Sequence, residues 1–310
     1  MKKRLKTYPM SERKNLVKVS DFAELPPPDF PIKSLVNALP RIHAGNTFRK
    51  IIEALARAHK KKAHIVLGLG AHVVKCGLSP YLIALMENGG LNALAMNGAG
   101  SIHDFEIAAF GETSEDVAKE LPLGRFGFVE ETGAWMGDAI KESLKADLGL
   151  GRGLYEFMRK NPEKFPHREL SLIWNTGRRS MPCTIHVAVG TDIIHLHPNV
   201  DGASIGQASF KDFEIFCDEI AKLENGIYWN LGSAVILPEV FLKAVSKAHN
   251  LGKTLAGLTT IDMDKLMQYR AQTNVVMRPS AGVGQGFHLT GQHEIMVPLV
   301  VLALLEEITR

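Results

Sequence analysis

Three short turns carry the residue types best suited to chemistry: Gly68-Leu-Gly70, Asn97-Gly-Ala-Gly100 and Gly232-Ser-Ala. Glycine lets backbone N–H groups approach a phosphate closely, and a helix that starts at such a turn adds its own unpaired N–H groups. A fourth cluster, Gly282-Val-Gly-Gln-Gly286, precedes Thr290-Gly-Gln-His-Glu294 at the start of a last helix, where the same groups suit an anion or a ribose hydroxyl. None is a strict GxGxxG, and tight strand–helix packing explains any one of them. Their recurrence at one edge of a sheet favours a nucleotide.

Histidine is the other chemical resource. His195 and His197 would project from one face of a strand, a spacing two metal ligands can use, but no third ligand accompanies them, so no metal is expected. Ser101, His103 and Asp104 are sequence neighbours whose helical geometry points His103 away from Ser101, which excludes a hydrolase triad. Lys75 and Cys76 lie beside the first glycine turn, where the lysine can reach a phosphate. Asp201-Gly-Ala-Ser-Ile-Gly-Gln207 reads as a turn into a helix that can face a ligand.

Positioning these residues requires an alternation of strands and helices. Apolar Ile51, Ile52, Leu55 and Ala58 define a helix ending at Lys60 to Lys62, and 64–70 reads as a buried strand. Ser79-Pro80 starts a helix that Gly89-Gly90 stop. A strand over 91–96 runs into the second glycine turn, and Ser101 and Asp104 have capping-box spacing for a helix over 102–110. Further strands are expected at 184–189, 192–196, 226–231 and 254–261, with helices at 210–223, 238–249 and 294–308. This order predicts an α/β protein: one doubly wound, mostly parallel sheet with helices on both faces. Residues 1–35, with their basic and Pro-rich run, read as an N-terminal arm, either solvated or packed on a neighbouring subunit. Residues 36–310 read as a single domain, with a glycine-divided elaboration at about 111–179.

Composition narrows the class. The chain has 310 residues with a formal charge of +3, too mild for a nucleic-acid footprint. Three unevenly spaced cysteines write no disulfide framework, and no apolar run is long enough to span a bilayer. The expectation is a soluble, cytoplasmic protein without nucleic-acid or membrane partners.

From Ile65 to the C-terminus the sequence resembles the deoxyhypusine synthases. The resemblance rests on Val74-Lys-Cys-Gly-Leu-Ser-Pro-Tyr-Leu-Ile-Ala-Leu, Leu94-Ala-Met-Asn-Gly-Ala-Gly100, Asp201 to Gly206, Leu231-Gly-Ser-Ala-Val, and Gly291-Gln-His before Val297-Pro-Leu-Val. It implies a Rossmann-like fold, NAD as cofactor, aminobutyl transferase chemistry and a homotetramer. It places the NAD contacts at Ala71 and His72, at Asn97, Gly98 and Ala99, at Gly232 and Ser233, and at Gln292 and His293. Several positions depart from the family. His72 replaces an asparagine, Gln292 and His293 replace an aspartate and a small residue, His103 and Gln207 replace acids, and Pro238 replaces the active-site histidine. Asp201 or Gly202 occupies a third acid position. No lysine occurs between Tyr269 and Arg310, where the nucleophile should lie.

Without acids to hold ammonium groups or a lysine to form an imine, a polyamine is poorly served. The sequence therefore points to a divergent NAD(H)- or nucleotide-binding enzyme acting on a small molecule other than spermidine. His103 is the expected proton-transfer residue because imidazole titrates near neutrality, and His103, Asp201 and Gln207 line the substrate side. The alternatives are a non-catalytic nucleotide-binding or assembly module and, behind it, a true deoxyhypusine synthase. A homo-oligomer, dimer or tetramer, is expected with pockets at subunit contacts.

Overall fold

In a computed structural model, residues 5–22, 32, 36 and 38–309 are described. Five-residue runs such as Ile-Val-Leu-Gly-Leu are buried on both faces, which suits the interior of a parallel sheet. Six strands pair in parallel: β2 (Ile65–Leu69), β3 (Ala93–Asn97), β5 (Cys183–His186), β6 (Ile227–Leu231), β7 (Thr259–Asp264) and β8 (Gln285–Thr290). Their spatial order is β5-β3-β2-β6-β7-β8. The chain starts centrally at β2, winds outward through β3 and β5, then returns to the other side of β2. The protein is thus a doubly wound α/β fold, with its topological switch point between β2 and β6.

Side-chain alternation divides the core. Ile65, Leu67, Leu69, Trp229 and Leu231 face helices α1 (His43–Lys60), α3 (Ser79–Glu87), α4 (Gly98–Phe110) and α10 (His293–Ile308). Val66, Ala93, Ala95 and Tyr228 face α8 (Gly202–Ile220) and α9 (Ile236–Asn250), where Tyr228 stacks on Phe241. Ser79-Pro80 forms the first turn of α3 as the sequence indicates.

Several boundaries differ from expectation. Helix α4 begins at Gly98, not Ile102, because the Asn97 side chain already accepts the Gly100 N–H at 2.9 Å and caps it. Residues 193–196 form a 3-10 turn, so His195 and His197 do not share a strand face. His195 Nδ1 instead accepts the Gly190 N–H, and His197 Nε2 meets the Gly127 carbonyl. Strand β8 is not among the strands expected from the sequence. Its partners in β7 supply hydrogen bonds that a local pattern does not reveal.

The elaboration is bound to the sheet layer by two buried carboxylates. Asp104 of α4 accepts from the Leu172 and Ile173 N–H groups and the Ser171 hydroxyl, holding the start of α7 (Leu172–Arg178). Asp212 of α8 accepts from Gly151 at the start of α6 (Leu150–Lys160) and from Ile185 of β5. Each acceptor satisfies N–H groups whose orphaning would cost ~1–3 kcal/mol apiece. Burial outweighs these bonds and pushes Asp104 up to about 6 and Asp212 to about 7.

Much of the expected arm lies against the same chain. Strand β1 (Asn15–Lys18) pairs antiparallel with β4 (Glu112–Glu115), and the Tyr8 N–H donates to the Phe128 carbonyl. Arg13 is buried, with a two-pronged contact to Glu106 (3.0 and 2.9 Å) and a third to Glu115 (3.3 Å). Such a forked pair is what a buried guanidinium requires. The basic start, residues 1–4, and residues 23–31 with their prolines fall outside the described residues. No helix among the described residues is long and apolar enough to cross a membrane.

Candidate functional site

The switch point is built from glycines pressed together. The Gly70 N–H donates to the Leu231 carbonyl at 2.9 Å, and a methyl on Gly70 would overlap the carbonyl of Gly232. Gly232 has φ +66° and lies under the His293 ring, 3.0 Å from where its Cβ would be. Both glycines are therefore demanded by the packing of the chain on itself.

Around them stands a basic group drawn from three segments. His72, on the short helix α2 (Ala71–Lys75), and His293, the first residue of α10, have ring centroids 5.5 Å apart. Lys75 lies at the end of α2, and Lys265 follows β7. Desolvation lowers the pKa of His72, and the charges of His293, Lys265 and Lys75 lower it further. His293 is 1% exposed and lacks a hydrogen-bond partner on either ring nitrogen among the described residues; Asp264 Oδ1 lies 3.5 Å from its Nε2. Burial lowers its pKa as well, against the opposing pull of Asp264. Two imidazoles and two lysine side chains thus gather at the end of β2, close to the first N–H groups of α10, with the carboxylates of Asp264 and Glu294 among them.

The second glycine turn is different. The carboxylate of Asp192 lies against Gly98, where a methyl would collide with it. Burial pushes Asp192 up to about 6 despite the lowering effect of the Ala99 N–H, and its Oδ2 has no hydrogen-bond partner among the described residues. The chain's own acid thus fills the place expected for a phosphate at the start of α4. A phosphate does not fit there.

Beside Asp192 opens a cleft of about 490 Å³. Lys75, Ala99, His103 and Asp192 line it, with Arg13, Glu106 and Glu115 at its buried end and apolar Ile102, Phe126 and Ile193 on its walls. The Thr113 hydroxyl donates to Glu106 Oε2, so His103 Nδ1 must donate to Thr113 (2.7 Å), leaving Nε2 as an acceptor. Burial lowers His103 to about 4, which keeps it neutral at physiological pH. For Glu106, burial alone would raise the pKa, but the Arg13 charge and hydrogen bonds pull it below the ordinary carboxylate value.

Of the residues singled out in the sequence, Ala71, His72, Gly232 and His293 come together at the switch point. Asn97 caps α4, while Gly98 and Ala99 underlie Asp192. Ser233 is buried, and its hydroxyl accepts from the Leu237 N–H. Gln292 is the exposed N-cap position of α10. Asp201 caps α8 through the Ser204 N–H, and neither it nor the exposed Gln207 lines the cleft. In the sequence Asp192 reads as part of a strand, and Lys265, the lysine closest to the place of the missing nucleophile, as a surface residue of a polar helix. Nothing local ties Asp192 to Gly98, although an acid after Gly190-Thr191 could have signalled a turn toward a strand end.

No family model matches the chain, and no curated protein matches it. Solved structures share its fold. AgrE in ternary complex with ornithine and NAD+ aligns at 15% identity and TM-score 0.51, over 86% of this chain and 34% of that one. A putative deoxyhypusine synthase from Entamoeba histolytica aligns at 13% and 0.52, over 89% and 93%. A conserved putative LOR/SDH protein from Methanococcus maripaludis S2 aligns at 14% and 0.50, over 92% and 71%. The chain spans about a third of the length of AgrE. At these identities the likeness establishes a shared doubly wound α/β fold.

Proposed function

We propose that the chain binds a nucleotide of the NAD(H) type at the switch point and acts on a small anionic molecule other than spermidine in the adjoining cleft. The observation that carries this reading is the gathering of His72, Lys75, Lys265 and His293 around Gly70 and Gly232. In a doubly wound sheet this is the crevice in which ligands sit, and its two lysines suit a pyrophosphate. The NAD+ in the AgrE complex agrees with this choice. His72, Lys75 and Lys265 would hold the phosphates, with the α2 backbone from Ala71 alongside them.

Bound NAD+ would accept a hydride. The chain's own residues then have separate tasks. Lys75 borders both the basic group and the cleft, so the phosphates it would hold lie beside the substrate. Asp192, with its pKa near 6, is better matched to proton transfer at neutral pH than His103, whose pKa is about 4. His103 instead presents Nε2 as a hydrogen-bond acceptor. Arg13, Glu106 and Thr113 fix its ring.

A second reading, nucleotide binding without turnover, draws support from Asp192 and His293 filling two of the glycine turns. A thermal-shift screen against NAD+, NADH and AMP tests the shared claim. Saturation at a hundred times the dissociation constant adds about 2.7 kcal/mol, so the melting temperature rises by several degrees; no shift with any of them overturns the proposal. Following NADH absorbance with amino acids and other small carboxylates then separates enzyme from module.

A further inference from the structure

A chain of four polar side chains crosses the C-terminal half of the sheet, apart from the cleft. Asn230, Asp262 and His288 are register partners on β6, β7 and β8. Asp262 is fully buried, and its carboxylate accepts from Asn230 Nδ2 at 2.7 Å and lies 2.8 Å from His288 Nδ1. His288 Nε2 in turn lies 2.8 Å from the hydroxyl of Thr290, which is exposed at the end of the strand. An acceptor-only carboxylate on Nδ1 fixes the proton there and leaves Nε2 to take the Thr290 proton. Nucleophile, base and buried orienting acid are thus all within hydrogen-bond reach.

We propose that Thr290 is an activated hydroxyl that accepts an acyl group from an activated ester or thioester. Two features of its surroundings serve an acyl donor. Helix α10 begins at His293, so its unpaired N–H groups and dipole lie close to where an oxyanion would develop. Thr290 itself faces solvent, so a donor can reach it. In the step, a lone pair on Oγ forms the new bond to the carbonyl carbon while the hydroxyl proton moves to His288 Nε2. The tetrahedral intermediate then expels the alcohol or thiol with its electron pair, and His288 returns the proton to it. Thr290 is left as an ester.

This centre needs no nucleotide, so its failure and that of the switch-point reading are separate events. The probe is p-nitrophenyl acetate, applied to the full chain and followed by p-nitrophenolate release and peptide mass mapping. The expected result is a stoichiometric acetyl ester on Thr290, removed by hydroxylamine as lysyl amides are not. Thr290→Ala abolishes that ester, Thr290→Ser keeps it, and His288→Gln slows its formation roughly a hundredfold. Thr290 is exposed, so its two variants keep the wild-type melting temperature and remain informative even if His288→Gln is poorly folded. No ester at Thr290 in the wild-type protein, or equal labelling in a folded His288→Gln variant, overturns the proposal.

Discussion

The carboxylate of Asp192 rests against the Cα of Gly98, at the first turn of α4. An acid in that position is stabilised by the helix N-terminus and excludes a phosphate from it. The arrangement explains why position 98 is glycine without invoking a ligand. It also leaves the neighbouring turn after β2 as the place for the proposed phosphate contacts.

A methyl at position 98 has to displace Asp192. Gly98→Ala is expected to destabilise the protein by about 1–3 kcal/mol, whereas the same change in an Asp192→Ala background costs much less. Chemical denaturation of the four proteins gives the coupling between the two sites. A cycle that closes with no coupling contradicts the contact.

Asp212 has a folded-state pKa near 7 against an ordinary value of 3.8. A raised carboxyl pKa means that the native state holds the proton more tightly, so the associated stability is full below about pH 4 and is lost as pH rises through 7. Asp212→Asn keeps an acceptor and cannot ionise. Relative to wild type it should gain stability, on the order of 1–4 kcal/mol, between pH 5 and pH 8. Denaturant titrations at three pH values check the slope, and a difference independent of pH would count against it.

Removing Arg13 strands Glu106 and Glu115 in the interior. Arg13→Ala should cost about 3–5 kcal/mol and expose residues 5–22 to protease. The double variant Arg13→Met, Glu106→Gln should recover part of that loss. Limited proteolysis and melting curves report both effects.

Leu266, Met267, Tyr269 and Ile295 are more than half exposed, on the loop after β7 and the first turn of α10. A homo-oligomer that covers them is the proposed assembly. Sedimentation equilibrium should give a dimer or tetramer, and Leu266→Lys with Ile295→Lys should shift it toward monomer. A wild-type monomer at all concentrations removes the proposal.

Much of the fold was legible because β2, β3 and β6 are short apolar runs closed by glycine, and Ser79-Pro80 announces a helix start. Strand β8 was not, since Gln285, Gly286 and His288 carry no strand signature and depend on pairing with β7. Residues 193–196 look β-rich but turn, because Asp192 and His195 cap one another across that segment. Within the site, His72 and His293 were found through the family resemblance. Asp192 was not, since its significance arises from contact with a glycine distant in sequence. The Arg13–Glu106 pair was hidden for the same reason: a basic, proline-flanked segment reads as solvated until its buried partners are known.

Isothermal titration of NAD+ into the wild-type protein and into Lys75→Gln and Lys265→Gln variants tests most directly whether the basic group at the switch point holds a nucleotide. Saturable one-to-one binding is expected for the wild type, weakened about tenfold, or 1.4 kcal/mol, by each variant while the fold is retained. No heat of binding in the wild type, or affinity unchanged in both variants, would contradict that assignment.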